Sequence, residues 1–204
     1  MAMGALLAVA LVEVAGGPLA FGNGVGENLA MMDRKGTKLD PYFSHWADQA
    51  ARKTMAANPG AESFVVAAGI TPSGVVHVVN HREVITVDFL ARALRDQGAK
   101  VRFIYSCDDF DVFRKVPKDM PEQEMLNANL RRSIADVPDP CGEHDSYASH
   151  QIDTFEKSIA PRGIQPEFIR QSRRYRAGDY AEGIRRALEQ SGRIREILDQ
   201  HRTE

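Results

Sequence analysis

The sequence predicts an α/β fold built on a parallel β-sheet. Short apolar runs alternate with stretches of helical periodicity, in the order strand, helix, strand, long connection, helix, strand, helix. The connections are long enough to return the chain to the same end of the sheet, which favours right-handed crossovers between parallel strands. The composition, with 43% hydrophobic and 26% charged residues in a chain of 204, is typical of a globular domain with a core.

The first elements follow from local signals. Residues 42–57 predict a helix that stops at Asn58-Pro59-Gly60, and the apolar run 64–68 predicts the first strand. Residues 82–96 predict the next helix, which Gly98 ends. The residues expected to face inward are Phe43, Trp46, Ala47, Ala50 and Met55 in the first helix, and Val84, Val87, Phe89, Leu90, Ala93 and Leu94 in the second.

The rest of the chain continues the alternation. Residues 100–106 predict a second strand, which runs into an acidic cluster at 107–111. Residues 116–145 contain four prolines and little periodicity, and so long a connection is typical of a functional loop. A helix over 146–159, a short strand over 167–170 and one long helix over 180–201 complete the pattern. The apolar residues of the last helix that are expected to face inward are Ile184, Ala187, Leu188, Ile194, Ile197 and Leu198.

The composition and charge limit the cellular locations and the binding partners that the sequence can predict. Residues 1–39 are expected to form a disordered or non-native leader, because the apolar run 5–12 lacks the basic start of a signal peptide, which is the alternative. That run is also too short to span a bilayer, so no membrane partner is predicted. The net charge of −2 excludes a global nucleic-acid-binding signature. Two cysteines, Cys107 and Cys141, give no disulfide framework and favour a cytoplasmic location, and Cys107 is expected to be buried.

The turn at residues 69–80 is the candidate site, because it joins a strand to a helix at the carboxyl end of the sheet. It reads Gly-Ile-Thr-Pro-Ser-Gly-Val-Val-His-Val-Val-Asn, and its two glycines permit close backbone approach and positive φ. His77 and Asn80 are expected at the helix start, where free backbone N–H groups favour a polyphosphate. The alternative is a plain turn with a capping residue. Neither a P-loop nor the dinucleotide-binding glycine motif is present.

Thr71-Pro72-Ser73-Gly74, followed by His77 and Asn80, resembles the first signature of class I lysyl-tRNA synthetases. The resemblance continues in order along residues 44–202 and is specific. The further matching segments are His45-Trp46-Ala47-Asp48, Asn80-His81-Arg82-Glu83, Asp108-Asp109-Phe110-Asp111, Phe113-Arg114-Lys115-Val116-Pro117, Val137-Pro138-Asp139-Pro140, His144-Asp145-Ser146-Tyr147-Ala148, Pro166-Glu167-Phe168-Ile169 and Tyr175-Arg176-Ala177-Gly178.

The resemblance implies a Rossmann-like sheet of the HUP type with an inserted loop region. Residues 40–204 would form the N-terminal half of the catalytic domain. The second signature, Lys-Met-Ser-Lys-Ser, has no counterpart, so the C-terminal half and the anticodon-binding domain are expected to be absent. The implied reaction activates L-lysine with ATP and Mg²⁺ to lysyl-adenylate and transfers lysine to tRNA(Lys). The chain alone is expected to be inactive.

Two other functions remain open at this point. One is a non-catalytic relic of a synthetase that binds a nucleotide, tRNA or nothing. The other is an adenylyltransferase of the wider His-x-x-His group, which shares the turn. The matches over residues 108–117 and 137–147 disfavour the adenylyltransferase because they are specific to the synthetase.

The resemblance also implies residue roles. His77 and Asn80 would act in catalysis at the ATP phosphates, and Asp108 and Asp109 would meet the substrate ammonium or ribose hydroxyls. A solvated acidic turn, with Asp111, is the alternative for the two carboxylates. The ATP- and lysine-binding set is Gly69, Thr71, Pro72, Ser73, Gly74, Val79, Asp108 and Asp109. The family has glycine where this chain has Val79, and two γ-methyl groups are expected to crowd the adenine there.

A zinc site is the last implied feature. Asp139, His144 and His150 match three ligands of archaeal members, and Glu143 stands where those have cysteine. Oxygen and imidazole donors suit Zn²⁺. Otherwise His144 would cap the helix and His150 would pack on it. The run of Arg170, Arg173, Arg174 and Arg176 would face tRNA phosphates or form a solvated face.

Overall fold

The structure, a computed structural model, describes residues 45–202 and confirms the α/β class. Three parallel strands form one sheet in the order β1-β2-β3. The elements are α1 (Trp46–Ala57), β1 (Ser63–Ile70), α2 (Val78–Asp96), β2 (Lys100–Cys107), α3 (Gln123–Ala128), α4 (Tyr147–Ile159), β3 (Glu167–Arg170), α5 (Gln171–Arg176), α6 (Ala181–Glu189) and α7 (Ser191–His201), with 3₁₀ turns at Ile134–Asp136 and Ala160–Arg162.

The chain divides into two compact units. The first unit contains the described residues up to Ile70, together with Gly74–Ser106 and Gln151–Phe168. The second unit contains Thr71–Ser73, Cys107–His150 and the described residues from Ile169 onward.

The core of the first unit is built on β1, β2 and α2. β1 alternates between buried and half-buried residues from Phe64 onward, as expected for a strand with one face in the core. The apolar face of α2, which includes Val84, Val87 and Leu94, is buried and packs on β1. On β2, the ring of Tyr105 stacks on Phe155 with centroids 4.9 Å apart. The apolar residues of these elements therefore form the core of the first unit.

Trp46 and Phe89 contradict the inward placement that helical spacing predicts. They remain 45% and 42% exposed and pack edge to face against each other, with ring centroids 6.3 Å apart. The small residues Ala47 and Ala51 are buried instead, because α1 packs closely on α2. Small side chains let two helices approach, and the large rings are left at the margin of the contact.

The second unit has a core of its own, formed by the connection between β2 and α4 together with the first residues of α4. The connection contains α3, the 3₁₀ turn Ile134–Asp136 and an isolated antiparallel bridge between Val112 and Ser133. Elements this short show no periodicity, which is why the sequence suggests none. The side chains that form this core are those of Phe113, Met120, Leu126, Ile134, Val137, Tyr147 and Ala148.

The predicted helix over 180–201 is wrong in two respects. It is divided into α6 and α7 at Gln190, and its apolar face is not buried within the described chain. The exposed apolar residues are Ile184, Leu188, Ile194, Ile197 and Leu198. Helical periodicity shows that these residues share a face but not whether another element covers that face.

The helices differ from the prediction in two further places. α2 begins at Val78 rather than at residue 82, and Arg173, Arg174 and Arg176 lie on the short helix α5, which was not predicted. The predicted leader over residues 1–39 and the inward placement of Phe43 lie outside the described residues. Among the described helices, none combines the length and apolar character that crossing a bilayer requires.

Candidate functional site

The start of α2 places His77 and Asn80 where the sequence predicts. His77 is the N-cap residue, with extended backbone angles of φ −134° and ψ 177°. Its backbone N–H donates to Oδ1 of Asn80, three residues later, at 3.1 Å. The Asn80 oxygen therefore supports the helix start, and its amide NH₂ remains a donor for a ligand. The His77 side chain is exposed.

Gly69 lies at the end of β1, in close contact with β2. A Cβ atom at this position would lie 2.9 Å from the carbonyl oxygen of Ser106, so any larger residue would force the strands apart. The close approach expected of Gly69 is confirmed. The residue has ordinary strand geometry, so the positive φ that a glycine permits does not occur there.

In the second unit, Thr71 and Ser73 border a cavity of about 450 Å³. The hydroxyl of Thr71 donates to Oδ2 of Asp111 at 3.3 Å, and the hydroxyl of Tyr147 donates to the carbonyl oxygen of Ser73 at 3.3 Å. Burial raises the pKa of Tyr147 to about 12, so the phenol remains protonated at neutral pH. Pro72 is buried, while Thr71 and Ser73 are exposed. This part of the turn is thus held by polar contacts on both sides.

The two neighbouring aspartates at the end of β2 have different surroundings. Asp109 is fully buried, and its Oδ2 accepts from Nε of Arg170 at 2.9 Å and from the hydroxyl of Ser172 at 2.7 Å. Its Oδ1 accepts from the backbone N–H of Ser172 at 2.8 Å. Both oxygens are therefore occupied within the second unit, which argues against the substrate contact predicted for Asp109. Asp108 is half-buried and remains the candidate of the pair.

Three of the four predicted metal ligands lie together. One ligand atom from each of Asp139, His144 and His150 lies within 4.8 Å of the others. Nδ1 of His150 is 3.1 Å from Oδ1 of Asp139, and Nδ1 of His144 is 3.5 Å from Oδ2. Glu143 contributes its backbone N–H, which donates to Asp139 Oδ2 at 3.0 Å, whereas its carboxylate lies outside the group. A carboxylate and two imidazoles form a donor set that suits Zn²⁺.

The electrostatics of Asp139 match a ligand role. Burial raises the pKa of the Asp139 carboxyl, but backbone hydrogen bonds from Cys141 and His144 and the hydrogen bond with His150 hold the pKa below its usual range. The carboxylate is therefore ionised at neutral pH. The helix-capping role considered for His144 is wrong. Ser146 caps α4 instead, because its hydroxyl accepts from the backbone N–H of Ser149 at 3.2 Å.

Most of the arginine run is paired with carboxylates of the second unit. Arg170 binds Asp109 as described, Arg174 binds Asp179 at 3.0 Å, and Arg176 binds Asp136 at 2.6 Å. The guanidinium of Arg176 also lies 5.5 Å from the ring centre of Phe110. This pairing favours the solvated face over the phosphate-binding surface that the run alone would allow.

Sequence reasoning missed Arg114, Lys115 and Tyr147 as site residues, although it included them in matching segments. Arg114 and Lys115 line the cavity beside Thr71, and Tyr147 holds the Ser73 carbonyl. The signal for the two cations was available, because adjacent basic residues directly follow the acidic turn 108–111.

A polar turn between a parallel strand and a helix start is typical of nucleotide-binding α/β domains. Comparison with known families refines this class. The model of the family described as tRNA synthetases class I (K) matches residues 44–204, and the chain belongs to that family.

Relatives support the assignment. The chain is 46% identical over 160 residues to a lysine–tRNA ligase of Treponema pallidum, and the aligned residues cover 78% of this chain and 30% of that protein. It is 51% identical over 160 residues to a lysine–tRNA ligase of Borreliella burgdorferi, where they cover 78% of this chain and 31% of the relative. It is 45% identical over 158 residues to one of Thermococcus kodakarensis, with 78% and 30% covered. The chain thus spans less than a third of the length of these relatives.

Proposed function

We propose that the chain takes part in lysine–tRNA ligation, the reaction for which its relatives are named. Lysine would be activated with ATP to lysyl-adenylate and then transferred to tRNA(Lys). The observation that carries the proposal is the His77–Asn80 start of α2, where two side-chain donors meet the N-terminus of a helix of 19 residues. A cytoplasmic location belongs to the same proposal.

The donors at the start of α2 suit stabilisation of the charge that develops on a phosphate, rather than formation of a covalent bond by a protein group. In the activation step, a carboxylate oxygen of lysine forms a bond to the α-phosphorus of ATP, and pyrophosphate leaves with the electrons of the broken P–O bond. Negative charge builds on the phosphate oxygens, and preorganised donors such as the imidazole of His77 and the amide of Asn80 stabilise it. Mg²⁺ bound together with ATP would supply positive charge that offsets the negative charge of the phosphates. Asp108 offers a carboxylate for the ammonium of lysine.

A stable lysyl-adenylate analogue tests this proposal. We expect calorimetry to show that the chain binds the lysyl analogue at least tenfold more tightly than the matching seryl analogue. If the chain catalyses lysine-dependent ATP–pyrophosphate exchange, His77→Ala should slow it by about 10²- to 10³-fold, the usual cost of one donor to a developing oxyanion. Equal affinity for both analogues, or no affinity for either, would contradict the proposal.

A nucleotide-binding relic without activity is the second candidate, and one residue favours it. Val79 is 41% exposed at the second position of α2, beside His77 and Asn80, where the resembled family has glycine. A β-branched residue there restricts the flat approach of a base to the backbone. Binding of ATP without binding of the lysyl-adenylate analogue would favour this candidate.

We also propose that Asp139, His144 and His150 hold one Zn²⁺ per chain. The ion would link the loop before α4 to the helix itself and so contribute to folding. Elemental analysis after purification with zinc should give about one equivalent. We expect His150→Gln to reduce the zinc content at least tenfold. Glu143→Gln should leave it unchanged, because that carboxylate lies outside the ligand group. Equal zinc content in all three proteins would contradict the assignment.

A further inference from the structure

The cavity beside Thr71 has three charged lining residues, Asp111, Arg114 and Lys115, to which the proposed activation step gives no role. It lies within the second unit, has a volume of about 450 Å³ and falls in the range of pockets that hold a small ligand or part of a larger one. Its walls carry two cations, one carboxylate and two hydroxyl groups. The lining residues are Thr71, Ser73, Asp111, Val112, Arg114, Lys115 and Pro117.

Among the residues that the structure describes, none provides a counter-ion for the two cations on this wall. Within residues 45–202, neither Arg114 nor Lys115 forms an ion pair or a side-chain hydrogen bond. By contrast, Arg170, Arg174 and Arg176 of the same unit each bind an aspartate. Two adjacent positive charges repel each other, and an anion in the cavity would remove that repulsion.

The other polar groups narrow the identity of the anion. The carboxylate of Asp111 shares the wall and accepts from the hydroxyl of Thr71, so a bare inorganic anion would meet one repulsive group. A ribonucleotide in a strand carries both kinds of partner, a phosphate for the cations and a 2′-hydroxyl donor for the carboxylate. The hydroxyls of Thr71 and Ser73 can donate to either phosphate or sugar oxygens.

We propose that Arg114, Lys115 and Asp111 form a binding site for the sugar–phosphate backbone of an RNA strand. Arg114 and Lys115 bind phosphate, and Asp111 accepts the 2′-hydroxyl. This inference rests on the proposed function. It extends that function because it identifies the surface through which the chain binds its RNA substrate. Because the contacts are to the backbone, the site positions the strand and does not read its bases.

Fluorescence anisotropy with a labelled single-stranded RNA oligonucleotide and the whole chain tests the proposal. We expect the double variant Arg114→Ala/Lys115→Ala to bind RNA about tenfold more weakly at 0.1 M salt. The slope of log K against log salt should fall by about 1.4, the value for two lost phosphate contacts on a single strand. The matched control is Arg193→Ala/Arg195→Ala, which removes the same charge from exposed positions of α7 and should change neither quantity.

A DNA oligonucleotide of the same sequence tests the carboxylate. The unmodified chain should bind RNA several-fold more tightly than DNA, and Asp111→Asn should reduce that preference because an amide replaces one acceptor oxygen with a donor. Circular dichroism confirms that each variant is folded. If the Arg114→Ala/Lys115→Ala variant binds RNA as tightly as the control variant Arg193→Ala/Arg195→Ala, the proposal is overturned.

Three further outcomes distinguish failure of this site from failure of the proposed function. If the double variant loses affinity for ATP but not for RNA, the cations serve the nucleotide substrate and the RNA site is overturned. If the lysyl-adenylate analogue binds normally while RNA binding ignores the double substitution, the RNA site fails and the proposed function stands. Failure of the analogue to bind the unmodified chain would remove the proposed function, whatever the RNA result.

Discussion

Replacing Asp109 with alanine is expected to lower the free energy of unfolding by about 3–5 kcal/mol, the usual cost of removing one partner of a buried ion pair. The carboxylate is fully buried, and the Arg170 side chain that binds it is only 18% exposed. Its removal leaves the guanidinium and two donors of Ser172 without their acceptor. Urea denaturation followed by far-UV circular dichroism measures the change.

A matched control is available in the same unit. Asp179 binds Arg174 at 3.0 Å, but the two side chains are 40% and 44% exposed. Asp179→Ala removes the same charge and should change the free energy of unfolding by less than about 1 kcal/mol, because water screens exposed pairs. Asp109→Asn, which keeps one oxygen acceptor, should be intermediate. Equal effects of the Asp109→Ala and Asp179→Ala substitutions would show that the buried network does not stabilise the fold.

Val79→Gly is expected to strengthen ATP binding by about 10- to 100-fold, or about 1.4–2.7 kcal/mol. The substitution removes the two γ-methyl groups from the second position of α2, where the adenine base is proposed to lie against the backbone. Glycine at this position costs the helix only a few tenths of a kcal/mol relative to valine, so folding is retained. Calorimetric titration with ATP measures the change.

Val78→Gly is the control for this substitution. Val78 is the first residue of α2, is 79% exposed and would undergo the same change in composition and helix propensity. Its replacement should leave the ATP affinity unchanged, and Val79→Ala should lie between valine and glycine. Unchanged or weaker ATP binding by the Val79→Gly chain would exclude crowding of the base as the defect.

The features predicted correctly from the sequence depend on neighbours in the chain. His77 and Asn80 lie at the start of α2 as predicted, and they bond to each other across three residues. The end of the same helix follows from Gly98, which has φ of +93° as a residue after a helix often does. Such signals are complete within a few residues, so no knowledge of the tertiary structure is required.

Asp109 shows where local reasoning failed. The two aspartates are adjacent in an acidic turn, and the partner that binds Asp109, Arg170, lies 61 residues away in the sequence. One local signal was nevertheless available. Phe103, Tyr105 and Cys107 are the buried positions of β2, and Asp109 continues that alternation by two residues. Extending the strand pattern into the acidic turn would have placed Asp109 inward.

The apolar residues of α6 and α7 show a different failure. Helical spacing correctly groups Ile184 and Leu188 on one face, but these residues remain 42% and 70% exposed. Whether a face is buried depends on elements distant in sequence, and periodicity contains no information about them.

The close contact at Gly69 has a consequence for how this sequence would change under mutation. Any side chain there meets the Ser106 carbonyl at 2.9 Å, so selection for folding alone is enough to retain the glycine. The imidazole of His77 is exposed and adds nothing to the core, so ligand binding gives selection a stronger reason to retain it than folding does. Among descendants of this chain, drift at His77 with Gly69 unchanged would mark a protein that still folds but has lost its chemistry.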